Sequence, residues 1–282
     1  AWVDFMEKFH DDIIDYFSSA KSPQAMLGVL TKTYYAETMG IDPNKIFMVS
    51  IMPCTAKKYE IRRADSMFAS GRQDVNISIT TREFIRMIQQ SGIVIQDLNN
   101  LEQPDSPLGA YSGAGAIFGA TGGVMEAALR SAYYFITGED AEDIQFKEGT
   151  RGPDGIKEMK LEIEGKEIRI AVAHWLGNVE KVLEKVRKAK QEGAELPYHF
   201  IEVMACPSGC IGGGGQSWGT NSEILEQRAQ GLFKLDSLRD FRLSHRNPAI
   251  IKLYEEFLGN PLGEKAEQLL HTKYTPRKRY LR

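Results

Sequence analysis

Cysteine is scarce in this sequence, with three among 282 residues. So small and odd a number excludes a disulfide framework and is typical of a reducing compartment, where thiols remain free for metal or redox chemistry. We therefore expect a cytoplasmic protein. The alternative is that the three thiols pack in the interior as small apolar side chains. The sequence around each cysteine distinguishes these interpretations.

Long apolar runs and excess positive charge are also absent. No stretch reaches the roughly 18 apolar residues that cross a bilayer, so no membrane span is predicted. The formal net charge is −3, which gives no electrostatic reason to expect nucleic acid as a partner. The sequence shows no internal repeat, low-complexity linker or signal-peptide pattern. It begins with Ala1-Trp2 rather than Met, and we expect the natural polypeptide to extend upstream.

Alternating strand and helix patterns predict an α/β fold. Hydrophobic residues make up 42% of the chain, enough for the core of one large domain or two lobes. We predict strands at 46–52, 75–79 and 198–205, and a hairpin of strands 160–164 and 167–173 around Gly165-Lys166. Helices are predicted at 2–14, 27–39, 80–90, 124–135, 178–191, 248–258 and 262–271. Near-continuous apolar strands fit sheets buried on both faces, so we expect two lobes with mainly parallel sheets flanked by helices.

Two cysteines four residues apart follow the predicted strand 198–205, in the segment Cys206-Pro-Ser-Gly-Cys210. This spacing brings two thiolates within reach of one metal centre, and the four glycines at 212–215 let the backbone approach it. Iron–sulfur clusters are anionic and need such unhindered amide donors. A structural zinc site usually has closer-spaced cysteine pairs and a fourth ligand, and this sequence contains no CxxC. A disulfide across so tight a loop would be strained.

The third cysteine, Cys54, directly follows the predicted strand 46–52. In open α/β sheets, ligands gather at the carboxyl ends of strands. Lys57, three residues later, places a cation near a thiolate or cluster, where it would stabilise the negative charge. Taken alone, a lysine after a strand is as consistent with a solvated surface position. Lys57 becomes a candidate site residue because the two cysteine segments occur in the same chain.

The two segments closely resemble the second and third signature motifs of iron–iron hydrogenases. They read Met52-Pro-Cys-Thr-Ala-Lys-Lys-Tyr-Glu60 and Glu202-Val-Met-Ala-Cys-Pro-Ser-Gly-Cys-Ile-Gly-Gly-Gly-Gly-Gln216. The resemblance extends through 18–24, 111–119, 121–130 and 269–274 and covers residues 1–282. It implies an H-cluster catalytic domain that interconverts protons and electrons with molecular hydrogen.

The resemblance also implies a cofactor in the cleft between the two lobes. The family's active site is a 4Fe–4S cube on four cysteines, one of which bridges to a diiron centre carrying CO, cyanide and azadithiolate. By this resemblance Cys54, Cys206 and Cys210 bind the cube, and Cys210 is the bridging ligand.

Other positions match residues around the same cofactor. Lys57 resembles the lysine that donates a hydrogen bond to a cyanide, and Met52 and Met204 resemble the residues flanking the diiron site. Four further positions are expected to take part: Pro23, Gln24 and Phe118 line the pocket, and Ser18 belongs to the proton relay.

One departure concerns the family's first motif, of which only Ala1-Trp2 is present. The fourth cube ligand and a proton-passing cysteine are expected in an upstream segment or a partner chain. Other expected partners are maturation proteins and ferredoxin-like or other redox subunits. The basic tail 273–282 is expected to be a solvated terminus, or alternatively a contact with a partner subunit.

Two relatives of the hydrogenases remain as alternatives. One is a non-catalytic protein of cytosolic iron–sulfur assembly, which lacks the diiron chemistry. The presence of Lys57, Met52 and Met204 argues against it, since these residues match diiron-binding positions. The other is a sensory or regulatory hydrogenase-like subunit that binds the cofactor and turns over slowly.

Overall fold

The computed structural model describes residues 1–99, 102, 105, 108–141 and 155–278. Its strands are β1 (Val49–Met52), β2 (Ile77–Thr80), β3 (Ile156–Ile163), β4 (Lys166–His174) and β5 (Phe200–Met204). Its α-helices are α1 (Trp2–Phe9), α2 (Pro23–Leu30), α3 (Ala36–Met39), α4 (Lys57–Glu60), α5 (Thr81–Gln90), α6 (Gly113–Ile117), α7 (Gly123–Thr137), α8 (Leu176–Glu192), α9 (Ser222–Ser237), α10 (Pro248–Leu253) and α11 (Glu264–Leu270). The predicted α/β class is confirmed.

The larger sheet has the order β3-β4-β5, with β3 antiparallel and β5 parallel to β4. Successive side chains of a strand point to opposite faces. Ala171 and Ala173 pack in one cluster with residues of α8, whereas Ile170 and Val172 pack in another with residues of α7. The apolar run of β4 is therefore buried on both faces.

The hairpin between β3 and β4 turns one residue earlier than predicted. Its two turn residues are Glu164 and Gly165, both with positive φ, of 48° and 73°. Two consecutive left-handed residues match the twist of the flanking strands. Lys166 is already paired with Ile163 in the sheet, so its assignment to the turn was wrong.

The smaller sheet consists of β1 and β2, paired in parallel with Met52 opposite Thr80. The prediction that the strand 46–52 is buried on both faces was wrong, because Ser50 is buried whereas Val49 and Ile51 are each 44% exposed. The buried face lies against α2, and within the described parts of the chain the other face remains open. The strand also begins only at Val49.

Several helices differ from the predicted ranges. The helix predicted at 2–14 ends at Phe9, because His10 has a non-helical backbone, and a short 3₁₀ turn follows at Asp11–Tyr16. The helix predicted at 27–39 begins earlier, at Pro23, where the side chain of Ser22 caps it, and it continues into α3 through a π-helical turn. Proline suits this first helical position because its missing N–H would have no partner there.

The C-terminal helices pack against the N-terminal part of the chain. Leu253, Leu258, Ala266, Leu269 and Leu270 form one apolar cluster with Val29 and Leu30 of α2. The chain then runs past residues 18–21, with Ala20 and His271 paired as an antiparallel bridge. Within the described residues, no helix has the length and hydrophobicity that crossing a membrane requires.

Candidate metal centre

The end of β1 and the glycine run after β5 are in direct contact. Gly215 N–H donates to the carbonyl of Pro53 at 2.9 Å. A Cβ at Gly215 would lie 2.7 Å from the nitrogen of Cys54, and one at Gly213 would lie 2.1 Å from the oxygen of Pro53. Only glycine permits so close an approach of the two backbones. Gly213 and Gly215 therefore bring the Cys206–Cys210 segment to Cys54.

A tight loop connects Cys206 to Cys210. Ser208 and Gly209 have φ of 59° and 89°, and Gly209 N–H donates to the carbonyl of Cys206 at 3.1 Å. Ser208 N–H donates to Nδ1 of His174, which ends the neighbouring strand β4. These contacts turn the chain back after β5, so that both cysteines stay close to the end of the sheet.

The segment before α7 lies along the same loop. Thr121 N–H donates to the carbonyl of Ser208 at 3.1 Å, and Ile211 N–H donates to the carbonyl of Gly119 at 3.0 Å. A Cβ at Gly209 would lie 2.8 Å from the nitrogen of Thr121. Residues 119–121 therefore form one wall of the cysteine loop.

The three cysteines are free thiols, partly exposed, and they influence one another electrostatically. Burial raises the pKa of Cys206, an effect opposed by the backbone N–H of Gly214, while the nearby Cys54 raises this pKa further. Burial also raises the pKa of Cys210; Cys54 and Cys206 add to this increase, and the ammonium of Lys57 opposes it. The structure thus brings together the four residues on which the sequence prediction depended.

The arrangement suits a cluster better than one ion. Within the described ranges, no three His, Cys, Asp or Glu side chains converge as the ligands of a single metal ion would. The cysteines of a 4Fe–4S cube each bind a different iron and therefore stand farther apart. Three neighbouring thiols, with the amide of Gly214 directed at Cys206, are a donor set that fits a cube.

Lys57 and Lys58 point to different surroundings. The ammonium of Lys57 donates to the carboxylate of Glu60, which also accepts a hydrogen bond from the hydroxyl of Ser22. Lys58 pairs instead with Glu83 at 2.7 Å on the outer surface. The side chain of Lys57 is 24% exposed and that of Lys58 is 42% exposed. Only Lys57 therefore lies on the side of the cysteines.

Gln24 is buried behind the strand that leads to Cys54. Its Oε1 accepts hydrogen bonds from the hydroxyls of Ser50 at 2.6 Å and Ser78 at 3.3 Å. Its Nε2 has no hydrogen-bond partner among the described residues, although the residue is only 4% exposed. Buried amides are normally paired, so a free donor here fits a missing acceptor. The preceding Pro23 is exposed at the first position of α2.

The remaining predicted site residues are spread around these loops. Met52, Met204 and Phe118 are partly buried, and Phe118 directly precedes Gly119 in the wall of the cysteine loop. Met204 and Ser18 line a common cavity of about 260 Å³. Ser18 is exposed, and its carbonyl accepts a hydrogen bond from the hydroxyl of Tyr274 at 3.0 Å.

The sequence analysis missed the role of Glu202 on β5. Its carboxylate is buried and accepts hydrogen bonds from the amides of Gly122 at 2.6 Å and Met125 at 2.7 Å, at the beginning of α7. Burial raises the pKa of Glu202, and these amides oppose the increase. A helix N-terminus favours such a carboxylate. An acidic residue within an apolar strand, four residues before Cys206, was the available signal.

Cysteine thiolates are the usual protein ligands of iron–sulfur clusters, so this α/β domain, with three cysteines gathered at the ends of its strands, has the features of a cluster-binding protein. Residues 1–214 match the family described as "Iron only hydrogenase large subunit, C-terminal domain". Residues 222–277 match "Iron hydrogenase small subunit". The chain belongs to the iron-only hydrogenase family.

Several known proteins are similar over nearly the whole chain. It is 48% identical to the NADP-reducing hydrogenase subunit HndD of Solidesulfovibrio fructosivorans, covering 99% of this chain and 46% of that protein. It is 42% identical to iron hydrogenase 1 of Clostridium pasteurianum, covering 97% and 47% respectively. The cytosolic iron–sulfur assembly component 3 of Mus musculus is more distant, at 33% identity over 97% of this chain and 57% of that protein.

Among solved structures, a variant of the apo [FeFe]-hydrogenase HydA1 from Chlamydomonas reinhardtii superposes with a TM-score of 0.81 at 39% identity. The match covers 98% of this chain and 74% of that one. The chain spans about half the length of the first two curated relatives.

Proposed function

We propose that this chain is the H-cluster domain of a hydrogenase that interconverts protons and electrons with molecular hydrogen. The observation that carries the proposal is the convergence of Cys54, Cys206 and Cys210, from two strand ends, beside the ammonium of Lys57. Membership of the iron-only hydrogenase family supports it. We propose a single H-cluster domain of two lobes over residues 1–282.

In this proposal Cys54, Cys206 and Cys210 would hold a 4Fe–4S cube, and Cys210 would be the ligand that the cube shares with the diiron centre. When bound, the H-cluster supplies a stored electron, an open iron position and a pendant amine base, which together cleave or form hydrogen. We propose that an upstream segment or a partner chain supplies the fourth cysteine ligand of the cube.

The surrounding side chains fix and shield the cofactor. Lys57 donates a hydrogen bond to a cyanide ligand, and its contact with Glu60 orients the ammonium. The unpaired Nε2 of Gln24 supplies a second donor. Pro23, Met52, Phe118 and Met204 would form an apolar wall that keeps bulk water from the bound cofactor. Ser18 passes protons toward the site, and the cavity that it shares with Met204 is consistent with this role.

We propose that the electrons come from a redox partner in the cytoplasm. The name of the 48% identical relative, an NADP-reducing hydrogenase subunit, supports a chain that works together with other redox subunits. Ferredoxin-like subunits fit the same requirement. Maturation proteins must assemble the diiron centre, since its CO, cyanide and azadithiolate are not side-chain ligands.

Two alternatives make different predictions. The first alternative is a protein of iron–sulfur assembly, which would bind iron–sulfur clusters without the diiron centre. The 33% identity to the mouse assembly component is the observation that supports it. A sensory hydrogenase-like subunit would bind the complete cofactor and turn over slowly. The higher identity to two hydrogenases favours the catalytic function.

One experiment separates these three functions. The natural polypeptide that carries this chain is produced anaerobically with hydrogenase maturation proteins, and its infrared spectrum and hydrogen evolution are recorded. We expect carbonyl and cyanide bands together with rapid turnover. Bands without appreciable turnover would indicate the sensory subunit. A cluster-loaded protein with neither bands nor turnover would contradict the hydrogenase proposal.

A further inference from the structure

Thr121 carries a buried hydroxyl that has no hydrogen-bond partner among the described residues. The residue is only 3% exposed. Thr31, which is 8% exposed, provides a contrast, because its hydroxyl donates to the carbonyl of Leu27 at 2.7 Å. Burial of an unpaired polar group is unfavourable, so such a group in a folded protein requires an explanation.

The position of Thr121 suggests the missing partner. Its backbone N–H donates to the carbonyl of Ser208, midway between Cys206 and Cys210. Its nitrogen is also the atom nearest to a Cβ placed on Gly209. The following residue, Gly122, is fixed by the buried carboxylate of Glu202. The backbone at position 121 is therefore held firmly against the loop that joins two of the proposed cluster ligands.

The hydroxyl has no structural task in this arrangement. The contacts that fix residue 121 are made by its backbone, and valine would fill the same volume without an unpaired polar atom. A sulfur acceptor would satisfy the hydroxyl. Hydrogen bonds to the sulfurs of an iron–sulfur cluster stabilise its more negative, reduced form and so raise its reduction potential.

We propose that the hydroxyl of Thr121 donates a hydrogen bond to a sulfur of the cluster bound by Cys206 and Cys210, either an inorganic sulfide or a cysteine sulfur, and raises the reduction potential of that cluster. This inference rests on the proposed function, because it requires a bound cluster. Thr121 is then a tuning residue and takes no part in the transfer of protons.

The test uses the anaerobically matured holoprotein and compares Thr121→Val, Thr121→Ala and Thr121→Ser with the wild type. Thr31→Val is the matched control, since it removes a buried hydroxyl that is already paired within its own helix. Iron content and the midpoint potential of the cube, followed by electron paramagnetic resonance during a redox titration, are measured for each protein.

We expect the Val and Ala variants to retain iron and to shift the potential to more negative values. The Ser variant and the Thr31→Val control should keep the wild-type potential. Unchanged potentials in the Val and Ala variants would overturn the proposal and indicate that the hydroxyl binds a buried water. Loss of iron from both variants would also overturn it, because a tuning donor is not needed to retain the cluster. If the wild type itself binds no cluster, the proposed function fails instead.

Discussion

The two parts of the chain that match different hydrogenase families make different contributions to the site. Residues 1–214, the site region, contain every proposed ligand and pocket residue. Residues 222–277, the C-terminal region, contain none of them. The C-terminal region instead packs behind the cysteine loop, where Arg228 donates to the carbonyl of Ile211 at 2.8 Å and Ala229 packs against Ala120 and Ile211.

A buried ion pair joins the two regions. Asp236 of α9 accepts two hydrogen bonds from Arg130 of α7, at 3.0 and 2.9 Å, and the side chain of Asp236 is 1% exposed. Near the C-terminus, Arg277 donates to Glu7, and Lys21 donates to the carbonyl of Leu269. The comparison indicates that the site region contains the proposed chemistry and that the C-terminal region contributes packing and ion pairs that hold it. Substitutions in the two regions should therefore have different consequences.

The largest effect is expected for Cys210→Ser in the site region. We expect hydrogen turnover to fall to background, because the substitution removes the proposed bridging ligand between the cube and the diiron centre. Hydrogen evolution and the infrared spectrum of the matured protein measure the effect. Retained turnover with an intact diiron signature would contradict the bridging role of Cys210.

Lys57→Ala should have the next largest effect. Removing a hydrogen-bond donor next to a metal centre typically costs about 10–100-fold in affinity or activity. Lys58→Ala is the matched control, because Lys58 contacts Glu83 away from the cysteines. Diiron occupancy, from the infrared band intensity per protein, and turnover are compared. Equal losses in the two variants would argue against the assignment of Lys57.

Asp236→Asn tests the C-terminal region. Breaking a buried ion pair by removing one partner costs about 3–5 kcal/mol of folding free energy. Denaturant unfolding should show this loss, whereas the exposed Asp240→Asn should leave the stability unchanged within about 0.5 kcal/mol. At denaturant concentrations below its unfolding transition, the Asp236→Asn variant should retain its iron. Loss of iron from the folded variant, comparable to that of a cysteine substitution, would show that the two regions are not separable in this way.

The smallest expected effect is the pH dependence of the same ion pair. Despite the opposing effect of burial, hydrogen bonds from Arg130 and Arg242 lower the pKa of Asp236 below its ordinary value of 3.8. The unfolded chain therefore takes up this proton at a higher pH than the folded chain. The contribution of this ion pair to the free energy of unfolding should be complete at pH values above the ordinary pKa of aspartate and should decline as the pH falls below it. The difference in unfolding free energy between wild type and Asp236→Asn should narrow in that range, and a constant difference would contradict the assignment.

Sequence reasoning succeeded where local chemistry determined the structure. The cysteine segments lie at strand ends as predicted, and Gly213 and Gly215 lie against Pro53 and Cys54. The predicted hairpin of strands 160–164 and 167–173 is also present, as β3 and β4. The expectation that the basic tail 273–282 is solvated was wrong for Arg277, which contacts Asp4 and Glu7 of the same chain. Residues 279–282 lie outside the described residues.

Features that depend on distant contacts were not predictable in this way. Helix α9 has only Ala229 and Asp236 buried, so its sequence shows little apolar periodicity. The exposure of one face of β1 depends on which elements pack against the sheet, and this cannot be predicted from the apolar sequence of the strand. The pairing of Asp236 with Arg130 joins residues more than 100 positions apart, and the unpaired hydroxyl of Thr121 is apparent only from its surroundings.

The most direct test of the central claim is an anomalous-scattering map, recorded at the iron absorption edge, from crystals of the matured holoprotein. We predict iron density within bonding distance of the Sγ atoms of Cys54, Cys206 and Cys210, in a single connected cluster. Iron bound elsewhere, with any of these three sulfurs lacking an iron neighbour, would contradict the account.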